Sequence, residues 1–112
     1  MFGIKEIDAA ELSKTLENLS DNVLPEKLKL IDVRTPAEVA RGKISGAENL
    51  PLHVIPLKVE ELSGDDKIIF YCQTGARSAQ ACAFMTSKGV DNVYNLRGGI
   101  VTWAQMGLPI AV

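Results

Sequence analysis

Residues 67–78 read Lys67-Ile68-Ile69-Phe70-Tyr71-Cys72-Gln73-Thr74-Gly75-Ala76-Arg77-Ser78, an apolar run followed by a short polar loop. The run is rich in β-branched and aromatic side chains, which predicts a buried strand over residues 67–72. The pattern after the loop predicts a helix from about Ser78 to Lys88, ended by Gly89. A strand, a short loop and a helix in this order are typical of a parallel α/β unit.

Four further segments on either side of this one predict strands, at residues 4–7, 28–33, 47–50 and 93–96. Helix-type patterns separate most of them, and the segment between Pro51 and Pro56 is predicted as a loop with a short helix. The alternation of the two patterns predicts an α/β fold with a mostly parallel sheet of about five strands. The length of 112 residues suits a single domain.

Two helix starts carry recognisable capping residues. Asp8 is predicted as the N-cap of the first helix with Glu11 completing a capping box, and Leu12, Leu16 and Leu19 fall on one face of that helix. The second start, at Thr35-Pro36-Ala37-Glu38, combines a capping threonine, a proline in the first turn and a glutamate at the box position. We expect this short helix to close at Gly42 and the last helix of the chain to contain Trp103.

The overall composition excludes several classes of protein. Twelve basic and 14 acidic side chains give a net charge of −2, which argues against a nucleic-acid binder. No apolar run is long enough to span a bilayer, so no membrane partner is expected. The first residues, Met1 to Glu6, lack the features of a signal peptide, and we expect a cytoplasmic protein. The single histidine, His53, is interpreted as a packed or solvated side chain.

Cys72 stands where a central strand of an open α/β sheet should end, and such folds bind ligands at this edge. A tight loop containing Gly75 can turn several N–H groups inward, and the following helix adds its dipole. Both effects should lower the pKa of Cys72 below the free value of about 8.5, and Arg77 would add a fixed positive charge. The alternative is that Cys72 is a small buried apolar residue at a strand end.

Cys82 is interpreted as structural. It lies in the predicted helix beside Ala81 and Ala83, with Met85 one turn further, a pattern that indicates a core-facing stripe. Its distance along the helix from Cys72 makes a disulfide between the two unlikely to meet the required geometry. Because no Cys-x-x-Cys pair is present, no zinc site or other metal site is expected.

Three segments together resemble the rhodanese family. The first runs from Ile31-Asp32-Val33-Arg34 through Glu38 to Gly42-Lys43-Ile44-Ser45-Gly46-Ala47-Glu48-Asn49-Leu50-Pro51. The second is Cys72-Gln73-Thr74-Gly75-Ala76-Arg77 with Ser78-Ala79, and the third is Tyr94-Asn95-Leu96-Arg97-Gly98-Gly99 followed by Trp103. All three occur in order and at the expected spacing, so the resemblance covers most of the chain and is highly specific.

The resemblance implies a three-layer α/β/α fold in which a cysteine carries sulfane sulfur as a persulfide. Cys72 then becomes the nucleophile, and a cradle of N–H groups binds the substrate, formed by Gln73, Thr74, Gly75, Ala76 and Arg77. Asp32 and Arg34 match the family's paired charges and are expected to orient the neighbouring loops. The implied substrates are a small donor such as thiosulfate or a persulfide and an acceptor such as cyanide, a thiol or an acceptor protein. We expect a monomer with no cofactor.

The sequence departs from the family pattern at two positions. Lys43 stands where the family often has histidine, which we interpret as a scaffold position. Gln73 stands where loops tuned for thiosulfate commonly carry a basic residue. Arg77 at the end of the loop could supply the charge instead, so the donor stays open.

Three alternatives remain at this stage. Cysteine phosphatases and arsenate reductases resemble one another in a Cys-x5-Arg loop, but only four residues separate Cys72 from Arg77. A non-catalytic rhodanese-like interaction module would typically lack the cysteine. The chain could also be one module of a longer protein.

Overall fold

The computed structural model describes residues 3–17, 28–64 and 67–112. Five parallel strands form one sheet in the order β1-β5-β4-β2-β3. Their bounds are β1 Glu6–Ile7, β2 Leu28–Asp32, β3 Glu48–Asn49, β4 Lys67–Tyr71 and β5 Val93–Leu96. The predicted α/β fold with a parallel five-stranded sheet is therefore confirmed, although β1 and β3 are shorter than predicted.

Within the described residues, five α-helices and one 3₁₀ helix accompany the strands. They are α1 Ala9–Glu17, α2 Pro36–Val39, the 3₁₀ helix Leu52–Leu57, α3 Val59–Ser63, α4 Ala76–Ser87 and α5 Gly99–Gln105. In the parts of the chain that the structure describes, none of these helices has the length and apolar character needed to cross a bilayer.

The predicted capping boxes are present at both helix starts. At α1, the Glu11 N–H donates to Asp8 Oδ1 at 2.8 Å and the Asp8 N–H donates to Glu11 Oε1 at 3.2 Å. Leu12 is fully buried on the predicted face and Leu16 is partly buried, whereas Leu19 lies outside the described residues. The box at α2, between Thr35 and Glu38, is also formed.

Two helix bounds differ from the prediction. The second helix ends at Val39, before Gly42, because the N–H groups of Arg41 and Gly42 donate to carbonyls three residues back, not four. Helix α4 begins at Ala76, two residues before the predicted start, and its N-cap is Gly75 in the left-handed conformation, with φ +106°. Ser78, the predicted start, therefore lies inside the first turn of the helix.

The two faces of the sheet carry separate apolar cores, because successive side chains of a strand point to opposite sides. On β4, Ile68 and Phe70 face one core, which also contains Cys72, and Ile69 and Tyr71 face the other. Helix α4, helix α3 and the 3₁₀ helix pack on the first face, and α1 and α5 pack on the second. The chain is thus the three-layer α/β/α arrangement that was expected.

A buried ion pair fixes the end of β2. Asp32 and Arg34 are almost fully buried, and Arg34 Nη2 lies 2.7 Å from Asp32 Oδ2. The same guanidinium donates to the Gly42 carbonyl at 2.7 Å and to Gln73 Oε1 at 3.3 Å. The pair therefore links β2, the turn after α2 and the loop after β4, which confirms the expectation that Asp32 and Arg34 orient neighbouring loops.

Removing one partner of this pair should be costly, because the other charge would stay buried without a counter-charge. We expect Arg34→Met to lower the free energy of unfolding by about 3–5 kcal/mol, measured by urea denaturation. The matched control is Arg97→Met, since Arg97 pairs with Glu6 in an exposed position and should cost less than about 1 kcal/mol. Equal effects of the two substitutions would contradict a structural role for the buried pair.

Candidate active site

Cys72 directly follows β4, which lies in the centre of the sheet between β5 and β2. Only three residues, Gln73 to Gly75, separate it from helix α4. The side chain is only 1% exposed. The cysteine is thus placed at the carboxyl edge of the sheet, as predicted, with its sulfur almost completely enclosed by its own loop and by the first turn of α4.

Hydrogen-bond donors surround the Cys72 sulfur. The Gly75 N–H donates to Sγ at 3.1 Å, and Ser78 Oγ lies 3.4 Å from Sγ. Burial acts to raise the pKa of the Cys72 thiol, but hydrogen bonds from the Ser78 hydroxyl and from the N–H groups of Ser78, Gly75 and Thr74 outweigh it. The pKa of Cys72 consequently lies below its ordinary value, because these donors stabilise the thiolate.

Asn95 on β5 ties the loop to the first turn of α4. The Asn95 amide donates to the Gly75 carbonyl at 3.2 Å, so its Oδ1 is left to accept the Ser78 hydroxyl at 2.5 Å. Both side chains are buried. Ser78 can donate its single hydrogen either to Asn95 or to the sulfur, and a thiolate is the better acceptor because it is charged.

Ser78 and Asn95 were not predicted as site residues. One signal was available for Asn95: it follows Val93 by two residues on a strand, so it points to the same apolar face as Val93. A polar side chain on a buried face needs a hydrogen-bond partner.

The N-terminus of α5 orients the peptide groups of the cysteine loop. The Ile100 N–H donates to the Cys72 carbonyl at 3.0 Å, and the Val101 N–H donates to the Gln73 carbonyl at 3.1 Å. Gly99 lies against these carbonyls so closely that a Cβ there would sit 2.5 Å from the Gln73 oxygen and 2.6 Å from the Cys72 oxygen. With the carbonyls held towards α5, the N–H groups that follow them can face the sulfur.

The five residues predicted to cradle the substrate have different positions. Thr74 and Gly75 donate N–H groups to the sulfur. Gln73 directs its side-chain oxygen to Arg34, and Ala76 is the first residue of α4. The assignment of these residues, with Arg77, to substrate binding stays a prediction.

The Arg77 guanidinium, predicted to add a fixed positive charge at the end of the loop, is paired with the Glu38 carboxylate. Its Nη1 and Nη2 lie 2.7 and 2.8 Å from the two carboxylate oxygens of Glu38. The hydrogen bonds from Arg77 are the main reason that the pKa of Glu38 falls to about 2. The Glu38 carboxylate stays ionised at neutral pH, so its negative charge neutralises the positive charge of Arg77 at the edge of the loop.

A cleft of about 310 Å³ adjoins the loop. Its lining residues come from the loop after β2, the segment before and within the 3₁₀ helix, and α4: Val33, Thr35, Pro51, Leu52, His53 and Arg77. Val33 also packs in the core cluster that contains Cys72. His53, interpreted from sequence as a packed or solvated side chain, is exposed in the wall of this cleft.

Cys82 is fully buried in the core and is not bonded to Cys72, as predicted. Burial raises the pKa of Cys82 to about 12, so this thiol stays protonated at neutral pH. Within residues 3–17, 28–64 and 67–112, no three His, Cys, Asp or Glu side chains come together in a group that could hold a metal ion.

Comparison with known proteins gives consistent similarities. The family model of the rhodanese-like domain matches residues 8–106. A sulfurtransferase of Allochromatium vinosum is 46% identical over 107 residues, which cover 96% of this chain and 94% of that protein. The crystal structure of a rhodanese-related protein from Thermoplasma volcanium has a TM-score of 0.79 and 30% identity, covering 96% of this chain and 97% of that one.

One further solved structure bears on the alternatives. A protein of unknown function from Rhodopseudomonas palustris, described as a possible tyrosine phosphatase, has a TM-score of 0.83 and 25% identity. The match covers 96% of this chain and 85% of that one.

Replacing Gly99 should turn the loop N–H groups away from the sulfur, because the added Cβ would meet the loop carbonyls. We expect Gly99→Ala to raise the pKa of Cys72 and so to lower its thiolate fraction and its alkylation rate at pH 7. The control is Gly107→Ala, since Gly107 also has a positive φ, of +75°, but open space around its Cα. Peptide mass spectrometry measures alkylation, and equal rates in both variants would contradict the role of α5.

Proposed function

The chain belongs to the rhodanese-like family, and on that premise we propose that it is a sulfurtransferase that carries sulfane sulfur as a persulfide on Cys72. The observation that supports this proposal most strongly is the set of donors from Thr74, Gly75 and Ser78 around Cys72 Sγ. These donors favour a thiolate, the form of cysteine that is nucleophilic.

In the first half-reaction the Cys72 thiolate attacks the outer sulfur of the donor. An S–S bond forms on Cys72 as the donor's own S–S bond breaks, and the leaving group departs with the electron pair. Thiosulfate would release sulfite, and a persulfide would release a thiolate. The enzyme is left with one additional sulfur, so the transfer proceeds as two separate displacements.

In the second half-reaction an acceptor, such as cyanide or a thiolate, attacks the outer sulfur of the Cys72 persulfide. The Cys72 thiolate is then the leaving group, and a leaving thiolate of low pKa departs faster. The same hydrogen bonds from Gly75 and Ser78 therefore assist both half-reactions. An acceptor protein would be served by the same chemistry.

We infer that the outer sulfur is held by the first turn of α4. The N–H groups at a helix N-terminus have no partner within the helix and can bind an anion. In α4 these include Ala76 and Arg77, which lie in the chain between Gly75 and Ser78, whose N–H groups are directed at Sγ. This gives the remaining residues of the predicted cradle a function in the loaded state.

The protein is best suited to a reducing compartment, and we propose that it acts in the cytoplasm. A buried thiolate such as that of Cys72 must stay reduced to begin each cycle, and the cytoplasm keeps thiols reduced.

A cysteine phosphatase is the second candidate, because a structural neighbour is described as a possible tyrosine phosphatase. Two features of the site oppose this function. The loop would need donors around three oxygens of a phosphoryl group, yet only four residues separate Cys72 from Arg77. The Arg77 guanidinium that could bind such oxygens is held by Glu38.

Incubation with a sulfane-sulfur donor should add one sulfur atom to the protein, because Cys72 is the activated thiolate. Intact-mass spectrometry would detect the added sulfur, and peptide mapping would locate it. We expect Cys72→Ser to abolish the adduct and Cys82→Ser to retain it, since Cys82 is buried with a raised pKa.

The same preparation should show no hydrolysis of aryl phosphates above background. An adduct found only on Cys82 would contradict the assignment of the nucleophile. Hydrolysis of aryl phosphates that depends on Cys72, with no persulfide from any donor, would show that the phosphatase is the correct function.

A further inference from the structure

The charges beside the cysteine loop are matched by carboxylates. Nη1 and Nη2 of Arg77 each donate to one carboxylate oxygen of Glu38, and this bidentate arrangement fixes the direction of the guanidinium. Arg34, whose guanidinium contacts the side chain of Gln73, is paired with Asp32. Among the described residues that line the cleft or contact the loop, both arginines therefore face a counter-charge.

The cleft next to the loop is largely apolar. Val33, Pro51 and Leu52 supply hydrocarbon surface, and Thr35, His53 and Arg77, which is paired with Glu38, complete its wall. An apolar cleft favours a ligand with a carbon substituent, because hydrocarbon surface is then removed from water. A small inorganic anion has no hydrocarbon surface to bury in the cleft, so it gains no such stabilisation there.

We propose that this site takes its sulfur from an organic persulfide, R–S–S–H, in preference to thiosulfate, with the R group in the cleft lined by Val33, Pro51 and Leu52. This inference rests on the proposed function of Cys72. The Glu38–Arg77 pair sets this preference. Because Glu38 neutralises Arg77, the entrance to the Cys72 site has no unpaired cation to offset the two negative charges of thiosulfate.

The transfer is balanced without any further reactant. The Cys72 thiolate attacks the terminal sulfur of R–S–S–H, the S–S bond of the donor breaks, and R–S⁻ leaves with the bonding pair. Cys72 then holds the terminal sulfur with its proton, and R–S⁻ takes a proton from water. Thiosulfate would require a dianion to approach a thiolate, which is unfavourable unless a cation offsets the repulsion.

Glu38→Gln tests this role because it removes the charge with little change in shape. Glutamine also completes a capping box, so the contacts of residue 38 with Thr35 at the start of α2 can persist. Arg77 then becomes an unpaired cation at the entrance to the Cys72 site. In water, the attraction between one positive charge and a dianion a few ångströms away strengthens binding of the dianion about tenfold.

The experiment measures kcat/KM for loading of Cys72 at pH 8, with thiosulfate and with 2-hydroxyethyl persulfide as donors. We expect the wild-type protein to favour the persulfide, and Glu38→Gln to raise the ratio of the thiosulfate value to the persulfide value about tenfold. The double variant Glu38→Gln/Arg77→Gln should lose that gain, because the unmatched cation is gone. Glu17→Gln on α1, in the opposite layer, removes the same charge and should leave both values unchanged.

The possible results are distinguishable. Equal loading by the two donors in the wild-type protein, or a Glu38→Gln ratio that does not change, would overturn the donor preference and leave the Cys72 persulfide in place. A gain that persists in the double variant would overturn the role of Arg77. If neither donor loads Cys72 in any variant, the proposed sulfurtransferase function itself fails. Circular dichroism and thermal melting verify that each variant is folded.

Discussion

Two backbone hydrogen bonds, from α5 to the carbonyls of Cys72 and Gln73, determine which way the cysteine loop faces. A peptide group is planar, so fixing a carbonyl on one side fixes the following N–H on the other. The Thr74 N–H, which shares a peptide group with the Gln73 carbonyl, is thereby directed at the sulfur. Gly99 makes this close approach possible because any side chain at that position would meet the loop carbonyls.

The chemistry of the site follows from that constraint. An enclosed sulfur would ordinarily be a poor nucleophile, because burial favours the neutral thiol. Here the donors of the loop and Ser78 outweigh the effect of burial. The positive potential that stabilises the thiolate comes from backbone N–H groups and a hydroxyl group, whereas the Arg77 guanidinium is paired with Glu38. A site of this kind stabilises a single sulfur anion without creating a general attraction for larger anions.

Much of the fold could be predicted from local patterns in the sequence. The capping box of Thr35 and Glu38 requires residues only three positions apart, and the apolar run of β4 is continuous because both faces of a parallel sheet are covered. The position of Cys72 followed from the end of that strand. These features depend only on residues close together in the sequence, so they could be predicted from one sequence.

The contacts that set the chemistry could not be predicted in the same way. Glu38 and Arg77 are 39 positions apart, and Ser78 and Asn95 are 17 apart, so only the folded chain brings them together. The predicted start of α4 was wrong for a related reason. Ser78 has the residue type of an N-cap, but its hydroxyl is directed to Asn95 and the sulfur, and Gly75 caps the helix instead.

The most direct test of this account is the titration of Cys72 in the wild-type protein, followed by the ¹³C chemical shift of its Cβ against pH. The account predicts a midpoint below the free-cysteine value of about 8.5, with the Cβ of Cys82 unchanged over the same range because that thiol has a pKa of about 12. A midpoint for Cys72 at or above the free value would contradict the claim that the loop stabilises the thiolate.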